Sequence, residues 1–393
     1  MTNTEPAKGF RDIEGKEAQK RIVIRNIIEE VFVRYGFSPA ETPVIEYEEF
    51  VRGENSGDEA VSDTFKLSDR GKRKLALRYE FTFQLKRLAK NKKLPYRRYQ
   101  IGSIFRDEPV KENRFRQFTQ CDIDIVGSTI KEEAEVLKMT SEIFEKLNIE
   151  VLININNRKL LNEIIKTEKI KEQDREAVIR ELDKLDKIDE KEIKESLKKY
   201  KADKLIELVK KPVEYFQKYD SYKEIKELIE TCNFYGVEVN FMPFLARGLS
   251  YYNGGIFEVK VKDGEIKESI AGGGSYLVNG VQSTGISFGL DRLDKLTDIE
   301  SDNKSVLIIS FGKDKESIEL AGKLRDGEIP CTIMYGKISK ALDYANAYGI
   351  NKVIFLGDEE MKKGKFKFKD MTSGEEIMLS EAELMKKLEV EEK

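Results

Sequence analysis

Apolar residues at intervals of three and four positions predict an amphipathic helix from Glu17 to Tyr35. Gly36 follows directly, as is typical of a helix end. Beyond it, the pattern predicts an extended segment at 37–44, a strand at 75–78 and a helix at 81–91. The first part of the chain therefore mixes helices and strands.

Two alternating stretches, 96–106 and 114–126, flank the polar segment 107–113 and predict a long antiparallel hairpin. Six side chains of the second strand would share one face: Arg114, Arg116, Phe118, Gln120, Asp122 and Asp124. An arginine pair beside an aromatic ring can bind a planar anionic ligand. The same face would equally fit a polar outer surface with salt bridges, and the spacing leaves both interpretations open.

Residues 157–230 have a different character, since they are dense in Lys, Glu, Leu and Ile and contain no glycine and one proline, Pro212. This composition predicts a helical insertion with solvated charged faces, to which we assign no chemistry. Glycines return afterwards, with strand-like segments at 255–261 and 283–289. The pattern thus predicts a sheet that is divided in sequence by helices.

A linker is predicted at 301–303, and strands and helices alternate after it, which indicates a small α/β unit with parallel strands. In this unit, residues 365–369 alternate strictly between Lys and Phe and predict a strand. Ser380 and Glu383 have the spacing of a capping box, which predicts that a last helix begins there.

The chain of 393 residues contains no histidine, which excludes a Ser-His-Asp triad, a zincin helix and a histidine general base. Chemistry must then rest on carboxylates, lysine, arginine, tyrosine, backbone amides or the substrate itself. Three widely spaced cysteines, Cys121, Cys232 and Cys331, form neither a disulfide framework nor a zinc pattern, and we expect small buried thiols.

The net charge of −3 does not by itself indicate a nucleic-acid partner. Seven basic residues and no acidic one lie between Lys86 and Arg98. Such a run fits a solvated helix face, and it also fits a surface that follows phosphates. The apolar runs are short and the first ten residues lack an apolar signal-peptide core, so a soluble intracellular protein is expected.

Two further segments carry candidate chemistry. Residues 245–254 contain Arg247, a fixed cation, beside Tyr251 and Tyr252, which would supply aromatic walls with hydroxyl groups or simply belong to the core. Residues 271–276 contain three successive glycines, which either let a ligand approach the backbone closely or form a turn.

The hairpin resembles motif 2 of class II aminoacyl-tRNA synthetases, in which Phe-Arg-x-Glu is followed by a loop and Arg-x-x-x-Phe. The matching residues are Phe105, Arg106, Glu108, Arg114 and Phe118. Residues 77–82 and 117–124 narrow the resemblance to the histidyl-tRNA synthetase family, in its archaeal and eukaryotic branch.

The remaining segments are similar to the same family. Residues 245–254 resemble its histidine-specific signature, residues 285–292 resemble motif 3, and the part after residue 305 resembles an anticodon-binding domain. Two positions depart from the family pattern, because Ser250 stands where the family has Asp and Ser275 where it has Arg.

The resemblance implies a reaction in which the carboxylate of histidine attacks the α-phosphate of ATP, followed by transfer of the histidyl group to tRNA(His). Arg106 and Arg247 would act as catalytic residues at the α-phosphate, with Mg²⁺ as a cofactor. ATP would be bound by the following side chains: Arg106, Glu108, Arg114, Phe118 and Arg292. The implied histidine-binding set consists of Glu80, Thr82, Gln120, Asp124, Arg247, Tyr251, Tyr252 and Tyr276.

Within that set, Glu80, Thr82 and Gln120 would take the α-ammonium group. Asp124 and Tyr252 would take the imidazole, so that an amino acid lacking these partners would leave polar groups of the site unpaired.

The implied fold class is α/β (α+β), with an antiparallel class II sheet flanked by helices, a helical insertion and a C-terminal α/β domain. We expect a catalytic domain in two parts, 1–156 and 231–300, the insertion at 157–230 and an anticodon-binding domain at 305–393. Residues 36–46, including Pro43, resemble motif 1 and imply a homodimer.

Two alternatives compete with this interpretation. One is the synthetase-like regulatory subunit of ATP phosphoribosyltransferase, which typically lacks the anticodon-binding domain expected here. The other is a non-catalytic tRNA-sensing module, which the loss of the ATP-binding arginines would indicate. Arg106, Arg114 and Arg292 are all present.

Overall fold

The computed structural model describes residues 4–52, 63–110, 114–247, 251–263, 268–299 and 303–390. The chain forms two compact units, one within residues 1–12 and 21–299 and the other within 13–20 and 300–393. Ser250 lies outside the described residues, as do parts of the predicted turn at 107–113 and linker at 301–303.

The strands alternate with helices along the whole described chain. They are β1 (Ser38–Pro39), β2 (Ile45–Tyr47), β3 (Lys66–Ser68), β4 (Lys74–Leu77), β5 (Tyr96–Phe105), β6 (Gln117–Val126), β7 (Val151–Asn157), β8 (Asn240–Phe241), β9 (Tyr252–Val261), β10 (Ala271–Val278), β11 (Val281–Gly289), β12 (Asn303–Ser310), β13 (Cys331–Tyr335), β14 (Ile350–Leu356), β15 (Phe366–Asp370) and β16 (Glu376–Leu379).

The α-helices begin with the amphipathic segment predicted near the N-terminus. They are α1 (Gly15–Arg34), α2 (Glu48–Arg52), α3 (Leu85–Leu88), α4 (Ile130–Lys146), α5 (Arg158–Thr167), α6 (Arg175–Leu182), α7 (Glu190–Lys198), α8 (Leu205–Val209), α9 (Tyr222–Phe234), α10 (Leu290–Leu296), α11 (Asp314–Asp326), α12 (Ile338–Tyr348), α13 (Asp358–Lys363) and α14 (Glu381–Val390). Among the described helices, none combines the length and the apolar character needed to cross a bilayer.

The first unit is built on an eight-stranded sheet with the order β1-β5-β6-β11-β10-β9-β7-β8. Its six central strands pair antiparallel, and only the two edge strands, β1 and β8, pair in parallel. Helices α1 and α4 bury their apolar residues in the core of this unit. The mixed fold class is therefore confirmed, and the predicted hairpin is formed by β5 and β6.

The predicted insertion is helical, since α5 to α9 and two short 3₁₀ turns follow one another between β7 and β8. Its apolar residues, such as Ile164, Ile179, Leu197 and Leu228, join the core of the first unit. Its charged residues form surface pairs, including that of Lys159 with Glu224.

The second unit contains a five-stranded sheet with the order β13-β12-β14-β15-β16, in which the first three strands are parallel. Phe366 and Phe368 of β15 pack on one of its apolar clusters, as the alternation predicts. Ser380 and Glu383 form both bonds of the predicted capping box at the start of α14.

Two predicted elements are shorter than the pattern indicated. In the segment 81–91 only Leu85–Leu88 is α-helical. At the start, the carbonyl of Phe81 accepts a 2.9 Å hydrogen bond from buried Arg98 and not from the next turn, and at the end Asn91 adopts a left-handed conformation with φ of +64°. The second hairpin strand begins at Gln117, since the amide of Arg116 donates to the carbonyl of Gly9 at 2.9 Å.

Candidate active site

Two adjoining cavities, of about 250 and 80 Å³, lie in the first unit, and both are lined by residues of β6, β10 and β11. Their common lining consists of Arg106, Gln120, Arg247, Gly272 and Ser287. Because they share five residues, we treat them as two parts of one site. All side chains predicted to bind a ligand line at least one of the two.

The larger cavity brings together the residues predicted to bind ATP, namely Arg106, Glu108, Arg114, Phe118 and Arg292, with Arg247. The guanidinium of Arg106 lies 5.2 Å from the ring centroid of Phe118, and its Nε donates to the carbonyl of Tyr79 at 3.3 Å. Arg114 forms an ion pair with Glu108. Four guanidinium groups around one space are suited to a ligand with several negative charges.

Arg292 is placed in the larger cavity by the first turn of α10. Its neighbour Asp291 anchors this turn, accepting from Arg21 Nη1 at 2.9 Å and from the amide of Thr119 at 2.8 Å. Arg292 itself donates to the carbonyl of Ser269. Burial lowers the pKa of Arg292, against the opposing effect of Glu268, and the neighbouring positive charges of Arg114, Arg106 and Arg247 lower it further.

The face alternation predicted for the second hairpin strand holds only from Phe118 onward. Arg116 lies before β6 begins, and its side chain contacts the carbonyl of Glu108 and the carboxylate of Asp107 at 3.1 and 3.2 Å. Phe115 lines the larger cavity in its place. The arginine pair expected on one face is therefore divided between two sides of the chain.

The smaller cavity holds the residues predicted to bind histidine, and its distinctive groups are three buried carboxylates. Glu80, Asp122 and Asp124 are 4%, 3% and 3% exposed. Oε1 of Glu80 and Oδ1 of Asp122 have no hydrogen-bond partner within the described part of the chain. Buried oxygens of this kind are suited to a cationic or hydrogen-bond-donating ligand.

Burial perturbs the protonation of all three carboxyl groups. It raises the pKa of Glu80 to about 8, although Arg106 opposes the rise. Burial and the neighbouring charge of Asp124 raise the pKa of Asp122 to about 7. The pKa of Asp124 is also raised by burial, against the opposing effect of Arg98. Ionisation of these carboxyl groups is therefore unfavourable in the protein alone, and a cationic ligand would make it less unfavourable.

Asp124 is held by two buried partners. Arg98, which is fully buried, forms an ion pair with Oδ2 at 2.6 Å, and the hydroxyl of Tyr276 donates to Oδ1. Gly285 lies opposite Asp124 on β11, where a Cβ atom would come within 2.5 Å of Oδ1. The carboxylate therefore occupies space that only glycine leaves free.

Three tyrosines wall the smaller cavity. The ring centroid of Tyr251 lies 4.8 Å from that of Tyr252 and 5.4 Å from that of Tyr276. Such tilted and edge-to-face contacts fix the rings relative to one another. The two tyrosines of the segment 245–254 thus belong to the cavity wall as well as to the core.

Arg247 lines both cavities and adopts an unusual backbone conformation, with φ of +59°. Its guanidinium lies against Gly272, the first glycine of the triplet on β10, where a Cβ atom would come within 1.6 Å of Nη1. Nη1 also lies 3.4 Å from the carbonyl of Phe257. The glycine therefore makes room for an arginine side chain of the protein itself.

Arg98 is a site residue that the sequence pattern did not single out. It belongs to the basic run from Lys86, for which we expected a solvated or phosphate-following surface. In the structure, Arg87 pairs with Glu46 at 2.7 Å, Arg97 pairs with Glu135 at 2.6 Å, and Arg98 pairs with Asp124. The position of Arg98 directly opposite Asp124 in the β5–β6 register is the signal that could have revealed it.

Ser275, one of the two departures from the family pattern, does not line either cavity. Its hydroxyl donates to the buried carboxyl of Glu133 on α4. Burial raises the pKa of Glu133 to about 7, while the bond from Ser275 opposes the rise. The substituted position thus belongs to the packing between β10 and α4.

Family models match nearly the whole chain. A model described as histidyl-tRNA synthetase matches residues 9–293, and one described as anticodon binding domain matches residues 305–391. Histidine–tRNA ligase 1 of Bacillus anthracis is 34% identical over 94% of this chain and 96% of its own.

Solved structures share the fold. Histidyl-tRNA synthetase from Nostoc sp. PCC 7120 superposes with a TM-score of 0.87 at 25% identity and covers 100% of both chains. A Bacillus halodurans structure described as an ATP phosphoribosyltransferase regulatory subunit/histidyl-tRNA synthetase has a TM-score of 0.76 at 21% identity. It covers 90% of this chain and 99% of its own, and at that identity it shows the fold alone.

Proposed function

The chain belongs to the histidyl-tRNA synthetase family, and on this premise we propose how its two cavities serve a histidine–tRNA ligase. The reaction activates histidine with ATP and transfers the histidyl group to tRNA. The observation that carries the proposal is the distribution of charge. The larger cavity is lined by four arginines and the smaller by three buried carboxyl groups, which complement a polyphosphate and the ammonium and imidazole N–H groups of histidine.

Activation requires no nucleophile or base from the protein, which suits a chain without histidine. A carboxylate oxygen of the substrate bonds to the α-phosphorus while the bond to the β-phosphate oxygen breaks, giving histidyl-adenylate and pyrophosphate. Catalysis then consists of positioning and of stabilising charge on the α-phosphate. We assign this role to Arg106 and Arg247, because they line both cavities.

The other residues of the larger cavity hold the nucleotide. Arg114 and Arg292 bind the outer phosphates, and Phe118 stacks on adenine. Glu108 orients the nucleotide and positions Arg114, with which it is paired. The mutual repulsion of these arginines supports a polyanionic ligand, since its binding would relieve that repulsion.

Residues of the smaller cavity hold histidine. Glu80, Thr82 and Gln120 receive the α-ammonium group, and the unpartnered Oε1 of Glu80 supports this assignment. Asp124 and Tyr252 receive the imidazole, with Tyr251 and Tyr276 as walls. Asp124 already forms an ion pair with Arg98 and accepts a hydrogen bond from Tyr276, and a carboxylate retains capacity for a further donor.

Mg²⁺ enters this scheme as part of the nucleotide substrate. Among the described residues, no group of three or more potential ligands from His, Cys, Asp and Glu could hold a metal ion. Of the two carboxylates that line the larger cavity, Glu108 is paired with Arg114, and Asp291 accepts from Arg21 and Thr119. This donor set fits Mg²⁺ bound mainly by ATP phosphates.

We also propose the division into domains predicted from the sequence, with the second unit binding the anticodon region of tRNA(His). The match to the first family model ends at residue 293 and the match to the second begins at residue 305. These limits support the boundary between the catalytic and anticodon-binding domains. Since protein synthesis consumes the histidyl-tRNA that this reaction makes, we place the protein in the cytoplasm. The relatives named above are bacterial, and membership of the archaeal and eukaryotic branch stays a prediction.

A homodimer is proposed through residues 36–46. Its support is exposed apolar surface at the end of this segment, where Ile45 and the following Tyr47 of β2 are 50% and 51% exposed. Sedimentation equilibrium tests it, and the expected result is a dimer at micromolar concentration. An active protein that sediments as a monomer would contradict this part of the proposal.

The ligase function is tested by ATP–pyrophosphate exchange with each of the standard amino acids supplied singly. Exchange with histidine alone is expected. Absence of exchange from protein shown to be folded by circular dichroism would favour the regulatory-subunit alternative. That alternative has less support now, because the chain carries the match to an anticodon binding domain.

A further inference from the structure

The loop that carries Arg247 is held by a residue of the helical insertion. The backbone amides of Ala246 and Arg247 donate to Oδ1 of Asp183, at 3.2 and 2.7 Å. These hydrogen bonds connect residues 63 and 64 positions apart in the sequence. They are the type of charge-assisted bond by which a carboxylate fixes a backbone conformation.

Such a constraint is needed because Arg247 adopts a conformation that a residue with a side chain rarely adopts. Its φ is +59°, in the left-handed region that glycine usually occupies. A residue remains in this conformation only when its surroundings enforce it. The shorter of the two hydrogen bonds, from the amide of Arg247 to Asp183, restrains the residue that adopts this conformation.

Asp183 is itself fixed from the insertion side. It directly follows α6, whose residues Val178, Ile179 and Leu182 are buried in the core of the unit. Its second carboxylate oxygen lies 3.3 Å from Nζ of Lys187. Both oxygens are therefore engaged, one by the insertion and one by the loop of Arg247.

A second contact joins the same part of the insertion to the sheet. Asp186 forms an ion pair with Lys260 on β9, and Lys260 also lies 3.5 Å from Glu258. None of these three residues lines either cavity. Asp186 therefore offers a matched comparison, since it lies in the same turn and has the same chemistry, but its partner is on strand β9 and not in the loop of Arg247.

We propose that Asp183 is a positioning residue for the activation step, through which the helical insertion holds Arg247 in its left-handed conformation. The inference rests on the proposed role of Arg247 at the α-phosphate. It gives the insertion a function in amino acid activation, in addition to any contact that it makes with tRNA. Removing the carboxylate would release the backbone of Arg247 and misplace its guanidinium.

The test is histidine-dependent ATP–pyrophosphate exchange by the full-length chain. Asp183→Ala is expected to lower kcat by about 10- to 100-fold, as misplacement of a catalytic group by about 1 Å does, and to change KM for histidine less than about 3-fold. Asp183→Asn keeps an oxygen that can accept both hydrogen bonds from the backbone N–H groups, so it should recover most of the kcat that Asp183→Ala loses. Asp186→Ala should stay within about 2-fold of the unaltered protein.

A double-mutant cycle separates positioning from a general loss of structure. In the Arg247→Ala background, the further change Asp183→Ala should have little effect on kcat, because the guanidinium that Asp183 positions is already absent. Independent effects in the cycle would overturn the inference, as would an equal loss of kcat in Asp183→Ala and Asp186→Ala. Exchange by the unaltered protein is measured first, so failure of the proposed function is recognised separately. Thermal unfolding monitored by circular dichroism shows whether each variant is folded.

Discussion

The larger and smaller cavities share Arg106 and Arg247, yet the groups that distinguish them have opposite charge. The larger adds the guanidinium groups of Arg114 and Arg292. The smaller adds carboxylates that are almost completely buried. The difference divides one continuous space electrostatically, so that a polyanion and an ammonium group would each have one favourable place to bind.

Burial differs between the cavities as much as charge does. The side chain of Arg114 is 48% exposed, whereas Asp124 is enclosed by Arg98, Tyr276 and the bare backbone of Gly285. An exposed cation can adapt to a flexible polyphosphate. An enclosed carboxylate imposes a fixed geometry, as discrimination between amino acids requires. We therefore expect specificity to reside in the smaller cavity and general nucleotide affinity in the larger.

The largest expected effect tests this division in the smaller cavity. Asp124→Asn should raise KM for histidine by about 100-fold and leave KM for ATP within about 2-fold, because the variant loses a charged acceptor and leaves Arg98 buried without its partner. Steady-state exchange with each substrate varied in turn measures both constants. An equal rise in both KM values would contradict a division of labour between the cavities.

The next prediction concerns the cost of buried negative charge. Since the pKa of Glu80 is raised to about 8 in the folded protein, the folded state binds more protons than the unfolded state from about pH 4.5 to 8. Stability contributed by this group therefore falls as pH rises through that window. Between pH 5 and pH 8, Glu80→Gln should therefore gain roughly 3 kcal/mol of stability relative to the unaltered protein.

Urea unfolding without ligands at the two pH values measures this difference. The buried amide of glutamine has a desolvation cost of its own, but this cost is the same at both pH values and does not alter the change between them. Asp122 titrates in the same range and its charge acts on Glu80, so the measured change includes the coupling between the two carboxyl groups. A variant that gains no stability relative to the unaltered protein between pH 5 and pH 8 would contradict a raised pKa for Glu80.

The counterpart in the larger cavity is Arg292. Arg292→Ala should raise KM for ATP by about 10-fold, because one charge-assisted contact with a phosphate is lost, and leave KM for histidine unchanged. Arg292→Lys, which keeps the charge and loses the planar fork, should show a smaller rise. Exchange kinetics measure both variants. A change in KM for histidine as large as that for ATP would show that the cavities are not separate in function.

Local patterns in the sequence predicted most of the fold. The period of two in β5 and β6, the glycine-free insertion and the capping box at Ser380 depend on neighbouring residues, and each is present in the structure. The predicted helix at 81–91 was too long at its start, where a distant side chain, that of Arg98, takes the carbonyl of Phe81. Tertiary hydrogen bonding of this kind leaves no periodic signal.

The same distinction applies to the site. The resemblance to motifs identified residues that line the cavities, since motifs record side chains at fixed spacing. It did not identify Arg98 or Asp183, because their partners, Asp124 and Arg247, lie on other elements. Arg98 was one of seven basic residues in a run, and Asp183 one of many acidic residues in the insertion. Only the strand register and the packing of α6 distinguish them.

The smallest expected effect concerns a residue next to the site that serves neither cavity. Ser275 follows the glycine triplet and precedes Tyr276, but its hydroxyl donates to buried Glu133 behind the sheet. Ser275→Ala should therefore reduce the free energy of unfolding by about 1 kcal/mol, the value of one such hydrogen bond, and change either KM less than about 2-fold. The loss should be greatest above pH 7, where the carboxyl of Glu133, whose pKa is about 7, is ionised and depends most on its donor. Urea unfolding and exchange kinetics on the same preparation measure both quantities. A changed KM for histidine would show that Ser275 affects the position of Tyr276. The packing between β10 and α4 would then contribute to histidine binding in the smaller cavity.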